Sequence, residues 1–249
     1  MRTITSRKSE RVKELTKLHK KSYRYTAGRF LAEGPAVVAM APSDQIEELF
    51  LTEEYLEQFE SFDTSTTLVS SEAMSALCES ESPQGVLALC TIIKHDPSEI
   101  LSSSGQVIVV DSLADPGNMG TIIRTAHAAG AAGILTFGSC VDPFNSKVVR
   151  SSAGSLFHVP IAQLAGLEVL PRDRSVFVLS GQATVELGPE TAMGTGNPIW
   201  VIGSEAHGVS ETWVSGKWSF SQVRIPMDSG VESLNAAVSA ALCLYSQVI

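Results

Sequence analysis

The sequence predicts an α/β protein whose C-terminal half is built on a parallel sheet, and three observations carry that expectation. Val107–Asp111, Ile134–Phe137, Val176–Ser180, Ile199–Gly203 and Val223–Met227 are short β-branched runs separated by helical stretches. Continuous apolar runs of this kind suit strands covered on both faces, and the alternation suits βαβ crossovers. The main polar clusters of this half begin where those strands would end, and open parallel sheets bind ligands beyond the carboxyl ends of their strands. Finally, residues 94–105 are polar, with Pro and Ser, and read as a linker. They divide the 249 residues into a smaller α/β domain, 1–93, and a larger one, 106–249.

Taken in order, residues 6–24 read as a helix. Val12, Leu15 and Leu18 fall on one side, with Lys13, Lys17, Lys20 and Arg24 opposite. The basic stripe is either a solvated face or a set of phosphate contacts. Charge distribution favours the second. Residues 1–30 hold ten Lys/Arg against Glu10 and Glu14, in a chain of net charge −9, so a basic arm sits on an acidic body. Tyr23, Tyr25 and Phe30 lie beside the stripe and suit base stacking or core packing. Beyond them, Ala36–Ala41 looks helical, Glu48–Thr52 looks like a strand and Ser71–Leu77 looks like a helix. Pro83–Cys90 reads as a turn followed by a buried strand.

In the second half, Leu234, Val238, Ala241, Leu242, Tyr245 and Ile249 repeat at helical spacing after a polar cluster, which predicts a C-terminal helix with that face buried. Glu232, Ser233 and Asn235 at its mouth either cap the helix or present polar groups to a ligand. Two further segments bear on that choice. One is Asp115-Pro116-Gly117-Asn118-Met119-Gly120 with Arg124 beyond it, and the other is Gly203-Ser204-Glu205-Ala206-His207-Gly208.

These two segments, with Ile225-Pro226-Met227 leading to Glu232-Ser233-Leu234-Asn235, resemble in order and spacing the three motifs of the SpoU (TrmH-like) branch of the SPOUT RNA methyltransferases. The resemblance covers roughly residues 105–249 and includes Asn145–Ser155. It implies a Rossmann-like parallel-sheet domain with a trefoil knot. It also implies S-adenosylmethionine as cofactor, RNA as substrate and a homodimer to which the C-terminal helix contributes. Phe30–Gly34 and Pro83–Val86 are similar to the small L30e-like substrate-binding domain that precedes many such domains.

By the resemblance, Asn118, Arg124, Glu205, Ser233 and Asn235 form the catalytic set. The cofactor would lie among Leu179, Ser180, Gly181, Ile202, Gly203, Ser204, Ile225, Pro226, Met227, Ser233 and Leu234, with Gly181, Gly203 and Gly208 allowing close backbone approach. Arg124 would either take the 2′-hydroxyl proton or bind phosphate and stabilise the developing alkoxide; an arginine pKa of about 12 or more makes it a costly base. His207 reads as a substrate-side or structural residue. Lys147 and Arg150 join Lys13, Lys17, Lys20 and Arg24 as candidate RNA contacts. The implied reaction is 2′-O-ribose methylation of RNA, with 23S ribosomal RNA preferred and tRNA the alternative.

Other classes fare worse. Cys78, Cys90, Cys140 and Cys243 are scattered, with neither metal-ligand nor disulfide spacing, so buried thiols and no metal are expected. No apolar run is long enough to span a bilayer and the basic N-terminus lacks an apolar signal core, which favours the cytoplasm. A dinucleotide-dependent oxidoreductase would need a glycine fingerprint that is missing. A catalytically dead RNA-binding protein would have no reason to keep Asn118, Arg124, Glu205, Ser233 and Asn235 together.

Overall fold

A computed structural model describes residues 2–188, 191, 196–215, 218 and 220–246. The chain forms two compact units, Met1–Ile93 with Asp142–Phe157, and Lys94–Val141 with His158–Ile249.

The first unit contains β1 (Arg2–Ile4), α1 (Glu10–Leu15), α2 (Lys21–Ala27), β2 (Arg29–Glu33), α3 (Pro35–Ala39), β3 (Ile46–Leu51), β4 (Ser65–Val69), α4 (Ser71–Leu77) and β5 (Val86–Thr91). Its mixed sheet runs β1-β4-β3-β5-β2, with β1, β4 and β3 parallel and β5 antiparallel to both β3 and β2. Val12, Leu15 and Leu18 are buried with Phe50, Met74, Leu77 and Leu87, so the apolar face of the basic arm packs on this unit's core.

The arm itself is not one helix. A 3₁₀ turn, Thr16–His19, follows α1, and Lys20 is extended (φ −88°, ψ 127°) before α2 begins. The reason is Arg24. It is 3% exposed, and its Nη1 donates to the carbonyls of Leu18 at 2.8 Å and His19 at 2.9 Å, acceptors that a continuous helix would use internally. Its Nε donates to Asp142 Oδ2 at 3.0 Å, with Nη2 on the same oxygen. Arg24 is therefore a buried ion-paired residue and leaves the expected phosphate-facing stripe.

Asp142 opens the excursion that separates the second unit's two stretches. Within it Asn145 caps α7 (Ser146–Ser151), which buries Val148 and Val149. Phe144 and Phe157 pack on Phe30 with ring centroids 5.0 and 5.9 Å apart. Arg150 Nη1 pairs with the buried Glu33 carboxylate at 2.9 Å, so its guanidinium too is engaged, whereas Lys147 is exposed. The expected division into 1–93 and 106–249 thus differs from the folded units by this sixteen-residue piece.

In the second unit come α5 (Pro97–Ser102), β6 (Val107–Asp111), α6 (Pro116–Ala128), β7 (Gly133–Phe137), β8 (Ile161–Gln163), β9 (Val176–Leu179), β10 (Val185–Glu186), β11 (Ile199–Ile202), α8 (Glu211–Val214), β12 (Ser221–Arg224) and α9 (Ala236–Tyr245). The sheet order is β10-β12-β9-β11-β6-β7-β8 and every pairing is parallel. Its five interior strands are the five expected runs. The two edges, three and two residues long, are too short to leave a period in the sequence. The last interior strand ends at Arg224, and Ile225–Met227 continue as loop, since Pro226 has no amide to donate to a ladder.

Residues 94–105 are no loose linker. Asp96 caps α5, Ile100 and Leu101 are buried, and Arg174 donates to the carbonyls of Leu101, Gly105 and Asn197 at 2.8, 2.6 and 2.7 Å. On α9 the buried side is the reverse of the expected one. Ala236, Ala237, Ser239, Ala240, Cys243 and Leu244 are buried, because small side chains let the helix lie close on α6 and β11. Val238 and Leu242 remain 48% and 43% exposed. Ile249 lies outside the described residues. Among those residues no helix is long and apolar enough to cross a membrane.

Replacing Asp142 with Ala removes the only ion-pair partner given to Arg24 among the described residues. We expect Asp142→Ala to cost about 3–5 kcal/mol in denaturant unfolding, and Arg24→Met/Asp142→Leu to recover much of it. A loss under about 1 kcal/mol would show that the pair is not what holds the excursion.

Candidate functional site

The site is assembled at the carboxyl ends of β6, β9, β11 and β12. Asp115 ends the loop after β6 and caps α6, its Oδ1 accepting from the amide of Asn118 at 2.8 Å, and Pro116 at the first helical position brings a preset φ. This start places Asn118 in the first turn with its side-chain amide turned outward. Asn118 Nδ2 donates to Glu205 Oε1, and its Oδ1 accepts from Asn235 Nδ2 at 2.9 Å. The same Glu205 oxygen accepts the backbone amide of Ala236 at 3.1 Å. Asn235 caps α9, its Oδ1 accepting from Ala237 at 2.9 Å and Val238 at 3.3 Å. Three orphan amides at the mouth of α9 are thereby satisfied, with a carboxylate at the positive end of the helix.

Of the two sequence alternatives for this helix mouth, the structure contains the cap. Asn235 supplies it, and Glu232 and Ser233 stay in the preceding loop.

Glu205 is held from the other end of its loop as well. Asp111, fully buried at the end of β6, accepts from the amide of Ser210 at 2.6 Å and from the hydroxyl of Ser112 at 2.9 Å. Between these anchors Ser204 and Gly208 exchange backbone hydrogen bonds of 3.1 and 2.8 Å. A Cβ on Gly203 would stand 2.0 Å from the carbonyl carbon of Gly208, so glycine at 203 serves the closure of this loop upon itself. Gly203 also lines the cleft described below, so the position meets this packing demand in addition to the one expected of it. Asp111 was not among the candidate residues; its place at a strand end beside the first motif was the available signal.

Two clefts flank the Asn118–Glu205–Asn235 cluster. One, of about 300 Å³, is lined by Leu179, Ser180, Gly181, Ile202, Gly203, Ser204, Glu205, Ile225, Met227, Ser233 and Leu234. Every residue expected around the cofactor except Pro226 is in this lining, together with Gln182, Glu232 and Ser239. The other is a groove of about 650 Å³ between α6 and α9, to which Asn118, Thr121, Thr125, Leu187, Pro226, Asn235, Val238, Leu242 and Tyr245 contribute. Ile225 faces both, and the hydrogen-bonded cluster forms the partition.

Arg124 is exposed on α6 and lines neither cleft; among the described residues its guanidinium has no ion pair or hydrogen bond. His207 is exposed at the turn between Ser204 and Gly208.

The smaller cleft suits a cofactor with an apolar ring and several polar groups. Its volume falls in the range of small-molecule sites, and its walls are three loops offering backbone amides and carbonyls next to Leu179, Ile202 and Leu234. A Cβ on Gly181 would meet nothing within 4 Å, which leaves open space at that wall. Burial pushes the thiols of Cys90 and Cys243 upward in pKa, and that of Cys78 up to about 12, so none is poised as a nucleophile. Among the described residues no group of His, Cys, Asp and Glu could hold a metal ion.

Comparison with known proteins gives concordant results. Residues 105–245 match the model of the SpoU rRNA Methylase family, and residues 9–88 match the MRM3-like substrate binding domain. Over 98% of both chains, the sequence is 32% identical to the 23S rRNA (guanosine(2553)-2′-O)-methyltransferase RlmP of Bacillus subtilis. It is 34% identical to the uncharacterized tRNA/rRNA methyltransferase slr1673 of Synechocystis, covering 98% of this chain and 92% of the other. The crystal structure of an AdoMet-bound rRNA methyltransferase from Sinorhizobium meliloti superposes with a TM-score of 0.81 at 26% identity, covering 99% of this chain and 97% of that one.

Two glycine replacements separate loop closure from ligand contact. Gly181→Val enters open space at an ordinary φ, so it should stay folded and lower S-adenosylmethionine affinity at least about tenfold by calorimetry. Gly203→Val, by contrast, should lower the melting temperature as well as affinity. Unchanged affinity in a folded Gly181→Val protein would move the cofactor elsewhere.

Proposed function

The chain belongs to the SpoU rRNA methylase family, whose members move a methyl group from S-adenosylmethionine to a ribose 2′-oxygen of RNA, and we propose that its own acceptor lies in large-subunit (23S) ribosomal RNA. The observation that carries this reading is full-length similarity to a 23S enzyme, across the substrate-binding part as well as the catalytic one. tRNA is the second reading.

Leu179–Gly181, Ile202–Ser204 and Ile225–Leu234 would hold the cofactor, which supplies an activated methyl on sulfur. The protein's own work is position and electrostatics. Glu205 fixes the carboxamide of Asn118 and the first turn of α9, so the polar wall is set before RNA arrives. Arg124, free of internal partners, is the group left to meet the RNA. Its exposed guanidinium suits a phosphate and a developing 2′-alkoxide better than it suits proton abstraction, since the neutral form is costly. Lys17 and Lys20 on the arm, and Lys147 on α7, are exposed and available to phosphates, whereas Lys13 is exposed but paired with Glu10 at 2.7 Å.

The enzyme works as a cytoplasmic homodimer in this proposal. Support for the dimer comes from α9, whose Val238 and Leu242 lie in solvent beside Tyr245, Ile225 and Pro226 along an apolar groove. Such a patch is characteristic of an interface, and a second copy offering the same face would cover it as an isologous contact.

Two measurements test these assignments. Arg124→Ala should reduce single-turnover methyl transfer to RNA by about 10²–10³ while leaving cofactor affinity within about twofold; a rate within threefold of the parent removes Arg124 from catalysis. Leu242→Glu should shift the protein from dimer to monomer in light scattering at micromolar concentration, and a dimer that persists would point to another face.

A further inference from the structure

Surface tyrosines ordinarily cover the ring and leave the hydroxyl in water. Tyr25, near the end of α2, is arranged the other way. Its hydroxyl donates to Asp142 Oδ1 at 2.9 Å, and Asp142 is only 6% exposed, yet 40% of Tyr25 is open to solvent. Burial and the Asp142 charge push the phenol pKa upward, so the hydroxyl stays protonated and keeps donating. Phe144 meets the ring with its centroid 6.4 Å away and the planes 74° apart. Asp142 is itself fixed by Arg24 Nε at 3.0 Å. The ring is thus tethered at its tip and braced by a neighbour, with two fifths of the residue left in water.

The surroundings are cationic. Lys21 Nζ stands over the Tyr25 ring, 6.0 Å from its centroid, and Lys17 Nζ over that of Tyr23 at 5.8 Å, so a base stacking on that face of Tyr25 displaces the Lys21 ammonium toward the base's own phosphate. Lys17, Lys20 and Lys21 are exposed and have no ion pair among the described residues. A flat, rigid aromatic surface beside several unpaired ammonium groups matches one chemistry above others, a planar π system attached to an anion. A protein partner or a lipid surface would call for a broader apolar patch than one ring provides. Resting on the reading that RNA is the substrate, we propose that Tyr25 is a preorganised stacking platform for an unpaired RNA base, with Lys21 and Lys20 receiving the adjoining phosphates. Because the ring is already immobilised, stacking on it loses little side-chain entropy.

The test compares a single-stranded RNA oligonucleotide carrying 2-aminopurine with a blunt duplex of equal length. Tyr25→Leu should weaken single-strand binding about tenfold or more and leave duplex binding unchanged. The salt slope should not move, since no phosphate contact is removed. With a methyl-accepting RNA, KM should rise while kcat at saturation stays at the parent value. Tyr25→Trp should retain binding, and its emission should be quenched by the single strand and not by the duplex, which covers the case of a poorly folded Leu variant. Parent-like single-strand affinity in a folded Tyr25→Leu protein, or an unquenched Tyr25→Trp, overturns the platform. If Lys17→Gln/Lys20→Gln/Lys21→Gln alone weakens binding, the arm contacts phosphates only and the RNA reading survives without the platform. A parent protein that transfers no methyl to any RNA overturns the functional reading itself.

Discussion

One carboxylate oxygen, Oε1 of Glu205, holds the catalytic half together where it matters. It receives the Asn118 side chain from α6 and the Ala236 amide from the start of α9, and it comes from the loop after β11. Three segments far apart in sequence therefore share a single acceptor. Charge-assisted hydrogen bonds of this kind are about twice as strong as neutral ones, though partial exposure lowers that here. The larger effect is geometric. With Asn118 orienting Asn235, and Asn235 capping the helix, both carboxamides have their donor and acceptor ends assigned by the network. An aspartate at 118 would bring a second negative charge against Glu205, so the preference for an amide is electrostatic rather than steric.

Asp111 and Glu205 divide the labour along the same loop. The buried Asp111 anchors its far end through the Ser210 amide, and Glu205 uses the near end to reach two helices. A loop pinned at both ends and closed by the Ser204–Gly208 pair can present backbone groups to a ligand without ordering itself on binding. This arrangement explains the glycine at 203: a side chain there would displace backbone from backbone before it ever met a ligand.

Much of this was legible in the sequence, for identifiable reasons. The interior strands are buried on both faces and so appear as β-branched runs, and two of the three motifs, with Leu179–Gly181 at a further strand end, supply the cleft lining because ligand loops in a parallel sheet fall at strand ends. The reading failed where long-range partners override local pattern. Arg24 belongs to the periodic basic stripe by spacing, but Asp142 lies 118 residues away and no local signal announces it. The C-terminal helix misled for a different reason. Its larger apolar residues marked an exposed face, while alanine, serine and cysteine made the buried contact, which inverts the usual inference from side-chain size. The short edge strands and α7 were missed because two to six residues carry too little period to be seen.

The excursion Asp142–Phe157 has a consequence for synthesis. A nascent chain that has released residues 1–93 exposes Arg24 without its carboxylate, Glu33 without Arg150 and Phe30 without two of its aromatic neighbours. The first unit's packing is not complete until residue 157 has left the ribosome. At about 5–20 residues per second the intervening 64 residues take roughly 3–13 s, and β6, α6 and β7 emerge inside that interval. Vectorial folding in which the amino-terminal part finishes first is closed to this chain; its two units must mature as contemporaries.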